Sequence, residues 1–413
     1  MSRTRTVPGA VDLVVTEHEL PVPLDHARPA GEQLALFARE VARADGRDLP
    51  WLVFLQGGPG GEAPRPTYSP LTPGWLERAL RDHRVLLLDQ RGTGRSSPVG
   101  ALPAFSPHEQ AERLTHFRAD SIVADAELLR EALGVDRWSL LGQSFGGFCA
   151  LRYLSVAPGA LREVFFTGGL PAVGRTIDEV YAETYRLLVE RSRRFYARYP
   201  EDRNRVLALH ELAAAGRLVL PSGERVSSRR LRSAGSVLGM GDGAELLHHL
   251  LERDPGSPGF RHALAERLPF TGAAPLYSLV HEGSWADGGP TRWAAERLLP
   301  EEYADDPTLF TGEHLFRTFL AEDAELAPLA RAADLLAEHD WPVLYDADVL
   351  RTVDVPCAAA VYAGDAYVPR VFSEETAALV PGLRTWVSED HEHNALRASG
   401  AEVLDRLFAL VRS

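Results

Sequence analysis

Apolar and polar positions along the first 170 residues predict strands and helices in alternation. Apolar stretches typical of strands run at 34–41, 51–56, 84–89, 138–142 and 164–167. Between these stretches, 73–81 and 119–133 carry apolar residues at the i, i+3 and i+4 spacing of a helix. Alternating strands and helices predict a mostly parallel sheet with helices on both faces.

The pattern changes between about residue 171 and residue 345. Stretches rich in Arg, Glu, Ala and Leu dominate there and predict long helices at 176–199, 244–253 and 313–338. Strand character returns at 355–363 and 384–388, and an amphipathic helix at 401–411 closes the chain. We therefore predict an α/β fold whose core has a mostly parallel sheet, with a helical cap domain inserted before the last strands. The predicted units are the two parts of the core and the cap, at 1–171, 346–413 and 172–345.

Composition and charge narrow the classes of partner. A net charge of −14 on 413 residues argues against nucleic acid and anionic membranes as partners. No apolar run approaches the length that spans a bilayer, and the basic N-terminus is not followed by the apolar core of a secretory signal. We therefore expect a cytoplasmic protein without a membrane partner, and the sequence leaves its oligomeric state open.

The residue types that are missing exclude several chemistries. The chain contains no lysine, which excludes a Schiff-base lysine, a Ser–Lys dyad and a Walker-type phosphate loop. Its two cysteines, Cys149 and Cys357, lie in apolar stretches and are expected to be buried free thiols. The sequence 391–393 is H-x-H, without the H-E-x-x-H spacing of a helical zinc site. No metal and no cofactor are therefore expected.

The strongest chemical signal is a G-x-S-x-G motif centred on Ser144. The motif follows the apolar run 138–141 and precedes a segment compatible with a helix, the strand–turn–helix context of a nucleophile elbow. Gly142 and Gly146 suit this turn because it leaves no room for side chains two residues to either side of the serine. We predict that Ser144 is a nucleophile.

A serine nucleophile needs a general base, and the base needs an orienting carboxylate. In α/β-hydrolases these follow the serine in the order acid, then histidine. Asp365 follows a predicted strand directly, whereas the rival acids Asp346 and Asp354 precede it and would lie at the opposite edge of the sheet. After the next strand come two histidines. We favour His393 as the base and interpret His391 as a surface histidine.

Two glycine-rich segments complete the predicted catalytic core. The oxyanion requires backbone donors, which we assign to Phe145, the residue after the nucleophile, and to the loop 56–61. Within that loop Gly58 is preferred over Gly57. The segment DQRGTGRS (89–96) lacks the spacing of a phosphate loop, so we interpret it as a structural loop that supports the oxyanion segment.

These motifs together resemble the prolyl aminopeptidases (proline iminopeptidases) of the α/β-hydrolase superfamily, in particular their larger bacterial subgroup. The catalytic core carries LQGGPG (55–60), DQRGTGRS (89–96) and GQSFGG (142–147). The resemblance extends into the cap and the last segment through HEG (281–283), WAAER (293–297), GEH (312–314), AADLL (332–336) and EHNALR (392–397). The sequence departs from the family at Gln56, where many superfamily members have histidine, and at Gly364, where a bulkier or acidic residue is expected.

The resemblance implies a serine exopeptidase that releases an N-terminal proline from peptides. Such an enzyme must bind a charged amine near the nucleophile, and carboxylates in a covered pocket suit that task. Glu282 follows a mostly apolar stretch and is the first candidate for the amine, with Glu313 the second. Tyr277 and Phe148, together with Phe145, are candidates for the apolar walls around a pyrrolidine ring.

Two other functions remain open on the sequence alone. The first is another capped α/β-hydrolase, such as an esterase, an amidase or a tripeptidyl-type aminopeptidase, because the cap decides the substrate and cap chemistry is hard to infer from one sequence. The second is a catalytically inactive hydrolase fold that serves as a binding protein. That reading would require a damaged triad, and all three predicted members are present.

Overall fold

A computed structural model of the chain describes residues 3–7 and 12–412. Its strands are β1 (Arg3–Val7), β2 (Leu13–Pro23), β3 (Gln33–Arg43), β4 (Trp51–Leu55), β5 (Thr67–Tyr68), β6 (Leu71–Thr72), β7 (Arg84–Asp89), β8 (Trp138–Gln143), β9 (Leu161–Thr167), β10 (Cys357–Tyr362) and β11 (Leu383–Ser388). Nine of them form one sheet in the order β1-β2-β3-β7-β4-β8-β9-β10-β11, and β5 and β6 form a separate hairpin.

The predicted mostly parallel sheet is confirmed, with an antiparallel extension. The strands from β7 to β11 in the sheet order pair in parallel. The first three strands and the junction of β3 with β7 are antiparallel. The sequence analysis missed β2 because polar residues such as Glu17 and His18 and the prolines Pro21 and Pro23 interrupt its apolar pattern.

Helices cover both faces of the sheet. Along the central strands, successive side chains point to opposite faces, so Leu140 joins one apolar cluster and Leu141 the other. The first cluster packs beneath α3 (Ala119–Ala132) and α4 (Phe145–Val156), and the second beneath α1 (Gly74–Ala79) and α19 (Glu402–Arg412). The core is completed by α2 (Pro107–Leu114), α17 (Arg370–Leu379) and α18 (Ala395–Ala398).

The segment between β9 and β10 is helical, as predicted. Its helices are α5 (Ile177–Arg198), α6 (Asp202–Ala214), α7 (Ser228–Arg232), α8 (Gly243–Leu251), α9 (Pro258–Arg267), α10 (Pro275–Leu279), α11 (His281–Trp285), α12 (Ala294–Arg297), α13 (Glu302–Asp305), α14 (Arg317–Glu322), α15 (Ala330–Ala337) and α16 (Ala347–Leu350). None of the helices in the described residues is both long and apolar enough to cross a membrane.

One predicted helix of this segment is wrong. The continuous helix expected at 313–338 is instead α14 and α15, separated by a 3-10 turn at Ala327–Leu329. Asp323 ends the first helix, and its carboxylate accepts hydrogen bonds from the amides of Glu325 and Leu326 at 3.1 and 3.0 Å. Pro328 lies two residues after Leu326, and it has no amide hydrogen with which to continue a helix.

The helical segment has two parts with different cores. Its outer part, from Phe195 to Leu268, has an apolar cluster of its own, to which Phe310 also belongs. Its inner part, which includes Leu276 and Leu336, shares one apolar cluster with the central strands and α4. The cap boundaries at 172 and 345 therefore remain a prediction, since the inner part packs as a layer of the core.

Candidate active site

Ser144 lies in a tight turn between β8 and α4. Its backbone has φ 54° and ψ −127°, a left-handed conformation that costs a non-glycine residue roughly 1–3 kcal/mol. The flanking glycines allow the turn to pack closely against the neighbouring strand. A Cβ on Gly146 would lie 1.9 Å from the carbonyl oxygen of Leu55, and a Cβ on Gly142 would lie 2.5 Å from that of Gly146. Both positions therefore require glycine.

Three of the predicted site residues form a hydrogen-bonded chain. The Nε2 atom of His393 lies 2.9 Å from the Ser144 hydroxyl, and its Nδ1 atom lies 2.7 Å from Oδ2 of Asp365. The other carboxylate oxygen of Asp365 accepts the backbone amides of Tyr367 and Val368 at 2.9 and 3.0 Å. The acid is thus fixed by its own loop, and the histidine is held between the acid and the serine.

The electrostatic surroundings favour a histidine that can carry a proton. Burial lowers the pKa of His393, but the neighbouring charges of Asp365 and Glu313 more than offset this, and the net pKa is raised. A group in this position can accept the serine proton and stabilise the charge that it gains. The same interaction reaches Glu313, since the charge of His393 acts to lower the pKa of that carboxyl group.

The rival residues lie outside this chain of contacts. His391 is bonded to Ser388 through Nδ1 at 2.9 Å and lies 3.4 Å from Glu402 through Nε2. Asp346 accepts backbone amides at the start of α16, and Asp354 is exposed on the way to β10. The preference for His393 and Asp365 stays a prediction, which these positions support.

The glycine-rich loop after β4 lies directly beside the serine. A Cβ on Gly57 would come within 2.9 Å of the Ser144 Cβ, and Gly58 has φ 129°, a backbone conformation that favours glycine. Phe145 is the first residue of α4, so its amide has no partner within the helix. The donors assigned to the oxyanion, Gly58 and Phe145, stay a prediction that this placement supports.

The DQRGTGRS segment contacts the glycine-rich loop, in line with its interpretation as a structural support. The side-chain amide of Gln90 donates to the carbonyl oxygen of Gln56 at 2.9 Å. The carboxylate of Asp89 accepts the amides of Ala63 at 3.2 Å and Arg95 at 2.8 Å. Hydrogen bonds from the DQRGTGRS segment therefore help to hold the glycine-rich loop in place beside Ser144.

A narrow cavity lies between the helical segment and the acid loop, lined by Val180, Tyr181, Thr184, His281, Trp285, Glu313, His314, Ala366 and Tyr367. The ring centres of Tyr367 and His393 are 4.7 Å apart, which places the cavity next to His393. Glu313 is its acidic group, and burial raises the pKa of this carboxyl group. Tyr277 donates a hydrogen bond to Oε1 of Glu313. Of the two predicted glutamates, Glu313 is the one that faces this space.

Glu282 has a different environment, which revises its predicted role. Its carboxylate oxygens accept the backbone amides of Ala294 and Ala295 at 3.1 and 2.9 Å, at the start of α12. Burial raises the pKa of Glu282 to about 7. The side chain borders a separate cavity, with Trp293 and Trp341 among its lining residues. The inward orientation expected from the sequence is correct, but both carboxylate oxygens are engaged by the backbone.

The aromatic walls also differ from the expectation. Phe148 is buried behind Trp285, with ring centres 4.5 Å apart, so Trp285 lines the cavity in its place. Tyr277 stacks on Phe270 and reaches Glu313. The sequence analysis missed Tyr181, His314 and Tyr367. Two of them have local signals: Tyr367 is an aromatic residue two positions after the predicted acid, and His314 ends the GEH motif (312–314).

Two groups of side chains in the described residues have the spacing of a cation site. They consist of His248, His249 and Glu252, and of Glu201, Asp202 and His248. Both lie in the outer part of the helical segment and share no residue with the chain of Ser144, His393 and Asp365. Buried Asp202 already contacts Nδ1 of His248 at 2.8 Å and Arg205 at 2.6 Å.

Known proteins with similar sequences identify the family of this chain. A family profile of the alpha/beta hydrolase fold matches residues 50–219. A proline iminopeptidase from Aeromonas sobria is 44% identical over 420 residues, which cover 96% of each chain. Proline iminopeptidase aneH from Aspergillus aculeatus is 34% identical over 96% of this chain and 93% of its own.

Among solved structures, a hydrolase from Pseudomonas aeruginosa aligns over 96% of this chain and 98% of its own, at 15% identity and a TM-score of 0.43. That similarity is too low to inform the chemistry. The sequence relatives, in contrast, span nearly the whole of both chains at identities of 44% and 34%. The chain therefore belongs to the proline iminopeptidase family, with the α/β-hydrolase fold.

Proposed function

We infer that this protein is a serine exopeptidase that releases an N-terminal proline from peptides through an acyl-enzyme intermediate. Family membership supports the reaction, and the geometry at the sheet edge supports the roles of the residues. Ser144 is the nucleophile, His393 the general base and then acid, and Asp365 the orienting carboxylate. Peptides are the substrates, whereas a cytoplasmic location and the absence of nucleic-acid partners stay predictions from composition.

The chemistry follows from the order of the hydrogen bonds. His393 takes the proton of Ser144 as the hydroxyl oxygen attacks the carbonyl carbon of the first residue. The oxyanion that forms accepts hydrogen bonds from the amides of Phe145 and Gly58. His393 then donates its proton to the leaving amine, which departs as the shortened peptide. Water, activated by the same histidine, hydrolyses the prolyl ester on Ser144 and releases proline.

The observation that carries the exopeptidase assignment is the position of Glu313. A substrate amine carries positive charge and needs a carboxylate within the covered site. Among the described residues, only Tyr277 donates a hydrogen bond to this carboxylate, and it does so at one oxygen. The second oxygen is available to an ammonium group close to His393. We therefore assign the amine to Glu313 rather than to Glu282.

The lining of the cavity favours a substrate amine as the group that Glu313 binds. Its walls include aromatic side chains and two histidines, His281 and His314, whose pKa values burial lowers to about 4 and about 3. Both histidines are neutral near neutral pH, so Glu313 is the charged group available to a substrate amine.

The test is a substrate panel on the purified protein. Chromogenic amides of proline, alanine, leucine and an N-acetylated proline are compared with a small neutral ester. We expect the free prolyl amide to be cleaved with the highest kcat/KM and the acetylated form not to be cleaved, because acetylation removes the ammonium group. Cleavage of the ester without any aminoacyl amide would favour the esterase alternative, and the absence of all turnover would favour a binding protein.

A further inference from the structure

One arginine of the helical segment contacts both loops that carry the catalytic acid and base. Arg191 lies on α5, and its side chain is 9% exposed. Its guanidinium group forms a two-point ion pair with the carboxylate of Glu392, at 2.7 and 2.5 Å. The same group donates from Nε and Nη2 to the carbonyl oxygen of Gly364, with the Nε contact at 3.2 Å.

The two partners occupy equivalent positions in the catalytic loops. Gly364 immediately precedes Asp365 after β10, and Glu392 immediately precedes His393 after β11. The loop before α8 joins the same arrangement, because Leu238 accepts from Nη1 of Arg191 at 3.2 Å. The next carbonyl along, that of Gly239, accepts the backbone amide of His393 at 3.2 Å. One planar guanidinium group thus spans the acid loop, the base loop and the helical segment.

This contact bears on the departure from the family pattern at Gly364. A Cβ at that position would lie 2.7 Å from Nη2 of Arg191, so the end of the arginine side chain would have to shift. Glycine allows the guanidinium group to contact the Gly364 carbonyl oxygen and Glu392 at the same time. The glycine and the arginine therefore belong together, although the two positions are far apart in the sequence.

We propose that Arg191 is a positioning residue that sets the distance between Asp365 and His393 and holds both loops against the helical segment. The proposal rests on the catalytic roles assigned to those two residues above. A planar fork that pairs at two points fixes geometry as well as charge, and lysine cannot reproduce it. Displacement of a catalytic group by about 1 Å can cost about a hundredfold in rate.

The test compares three variants at this contact with a matched control. Arg191→Met removes the charge but keeps much of the aliphatic side chain. Arg191→Lys keeps the charge but removes the planar guanidinium group. Glu392→Gln removes the negative charge of the ion pair. Arg194→Met is the control, because Arg194 lies on the same helix with an exposed side chain and lines a surface pocket together with Arg191 and Glu392. Each variant is assayed on a prolyl amide and on a neutral ester.

We expect Arg191→Met to lower kcat about tenfold to a hundredfold on both substrates, with KM for the prolyl amide within about threefold. Arg191→Lys should recover part of the loss, Glu392→Gln should lose less than Arg191→Met, and the control should match the wild type. Unfolding temperature and circular dichroism identify any variant that fails to fold. If Arg191→Met fails, Glu392→Gln and Arg191→Lys decide the outcome.

A pH profile distinguishes positioning from a general loss of stability. The charged groups that act on His393 are Asp365 and Glu313, which raise its pKa, and Arg397, which lowers it. If Asp365 moves away, the pKa of His393 falls, and the acidic limb of kcat/KM for the ester should shift to lower pH in Arg191→Met. An unchanged limb, or a loss confined to KM of the prolyl amide, would overturn the proposal.

The two substrates also separate this proposal from the proposed function. If the wild type cleaves the ester but no aminoacyl amide, the peptidase assignment fails, and the kcat and pH profile of ester hydrolysis still decide the role of Arg191. If the wild type cleaves the prolyl amide and Arg191→Met behaves like the control, the positioning role alone is wrong.

Discussion

The sheet edge around Ser144 and the helical segment around Glu313 hold their functional groups in different ways. At the sheet edge, local backbone sets the geometry, since a strand, a glycine-flanked turn and a helix follow one another directly. Asp365 likewise takes its orientation from amides two and three residues along the chain. In the helical segment, Glu313 is oriented by Tyr277 and faces a cavity lined by α5, α11 and the acid loop.

This difference is visible in the two glutamates, which have different surroundings despite similar sequence contexts. Glu282 and Glu313 are both acidic residues next to a histidine in a largely buried segment. The carboxylate of Glu282 is engaged by the amides at the start of α12, and that of Glu313 has one oxygen available. Chemistry at the sheet edge can therefore be read from short motifs, whereas specificity in the helical segment depends on packing between distant parts of the chain.

The largest expected effect is at the sheet edge. Ser144→Ala and His393→Ala should each lower kcat about 10⁴- to 10⁶-fold on amide and ester alike, because members of a triad act as a unit. His391→Ala is the matched control, since it removes a histidine two residues away that contacts Ser388 and Glu402. Initial rates on both substrates measure the effect. A loss in His391→Ala that equals the loss in His393→Ala would transfer the base to His391.

The next largest effect is expected at Glu313, and it distinguishes the helical segment from the sheet edge around Ser144. Glu313→Gln should reduce kcat/KM for the prolyl amide by roughly two to four decades, because an underpaired ammonium in a covered site costs roughly 3–5 kcal/mol. Ester hydrolysis should change little, since the ester has no amine and the catalytic chain is intact. The measured quantity is the ratio of the two losses on one preparation. Equal losses on both substrates would show that Glu313 supports His393 instead of binding the amine.

The pH dependence gives a smaller but independent comparison. The pKa of Glu313 is raised by burial, so this carboxyl group becomes protonated at a higher pH than an exposed glutamate. As pH falls through that raised pKa, amine binding is lost at up to about tenfold per pH unit, in addition to the protonation of His393 that both substrates share. The ratio of prolyl amide to ester kcat/KM should therefore fall on the acidic side. A constant ratio would exclude a titrating amine partner.

The smallest effect on specificity is expected at Glu282. Glu282→Gln places a side-chain amide donor against one of two backbone donors, which should cost about 1–3 kcal/mol of folding stability. The ratio of prolyl amide to ester turnover should stay unchanged. In the wild type the pKa of Glu282 is raised to about 7, so its contribution to folding stability is present at low pH and is lost as the pH rises through about 7. In urea unfolding at several pH values, the difference in free energy of unfolding between wild type and Glu282→Gln should therefore become smaller as the pH rises.

The fold and the proximity of Ser144, His393 and Asp365 were largely predictable because their signals are local. Strands 84–89 and 138–142 are short apolar runs that can be recognised one at a time. Ser144, Asp365 and His393 each follow a strand, which predicts that all three lie at the carboxyl ends of the parallel sheet. The break between α14 and α15 was missed although Pro328 was visible, because the Ala- and Leu-rich flanks on either side carry helical periodicity. The spacing of apolar residues alone does not show that a side chain such as Asp323 ends a helix by accepting backbone amides.

The cap site could be predicted only in part, for a physical reason. Which oxygen of a buried glutamate is free depends on partners that lie in other elements, such as Ala294 for Glu282. Gly364 illustrates the same limit, since its lack of a side chain has no local explanation and depends on Arg191 in α5. The sequence shows that a glycine at this position is unusual, but the residue that it contacts lies in a distant helix.

The two-part core of the helical segment has a consequence for engineering and for divergence within the family. The outer part has its own apolar cluster, so it can be exchanged as a unit if Leu238 and Gly239, which contact Arg191 and the backbone of His393, are kept. The inner part cannot, because residues such as Leu279 and Leu336 complete the core over α4. A chimera that exchanges the segment near 195 and 268 should therefore fold, whereas one joined at 172 and 345 would remove a layer of the core.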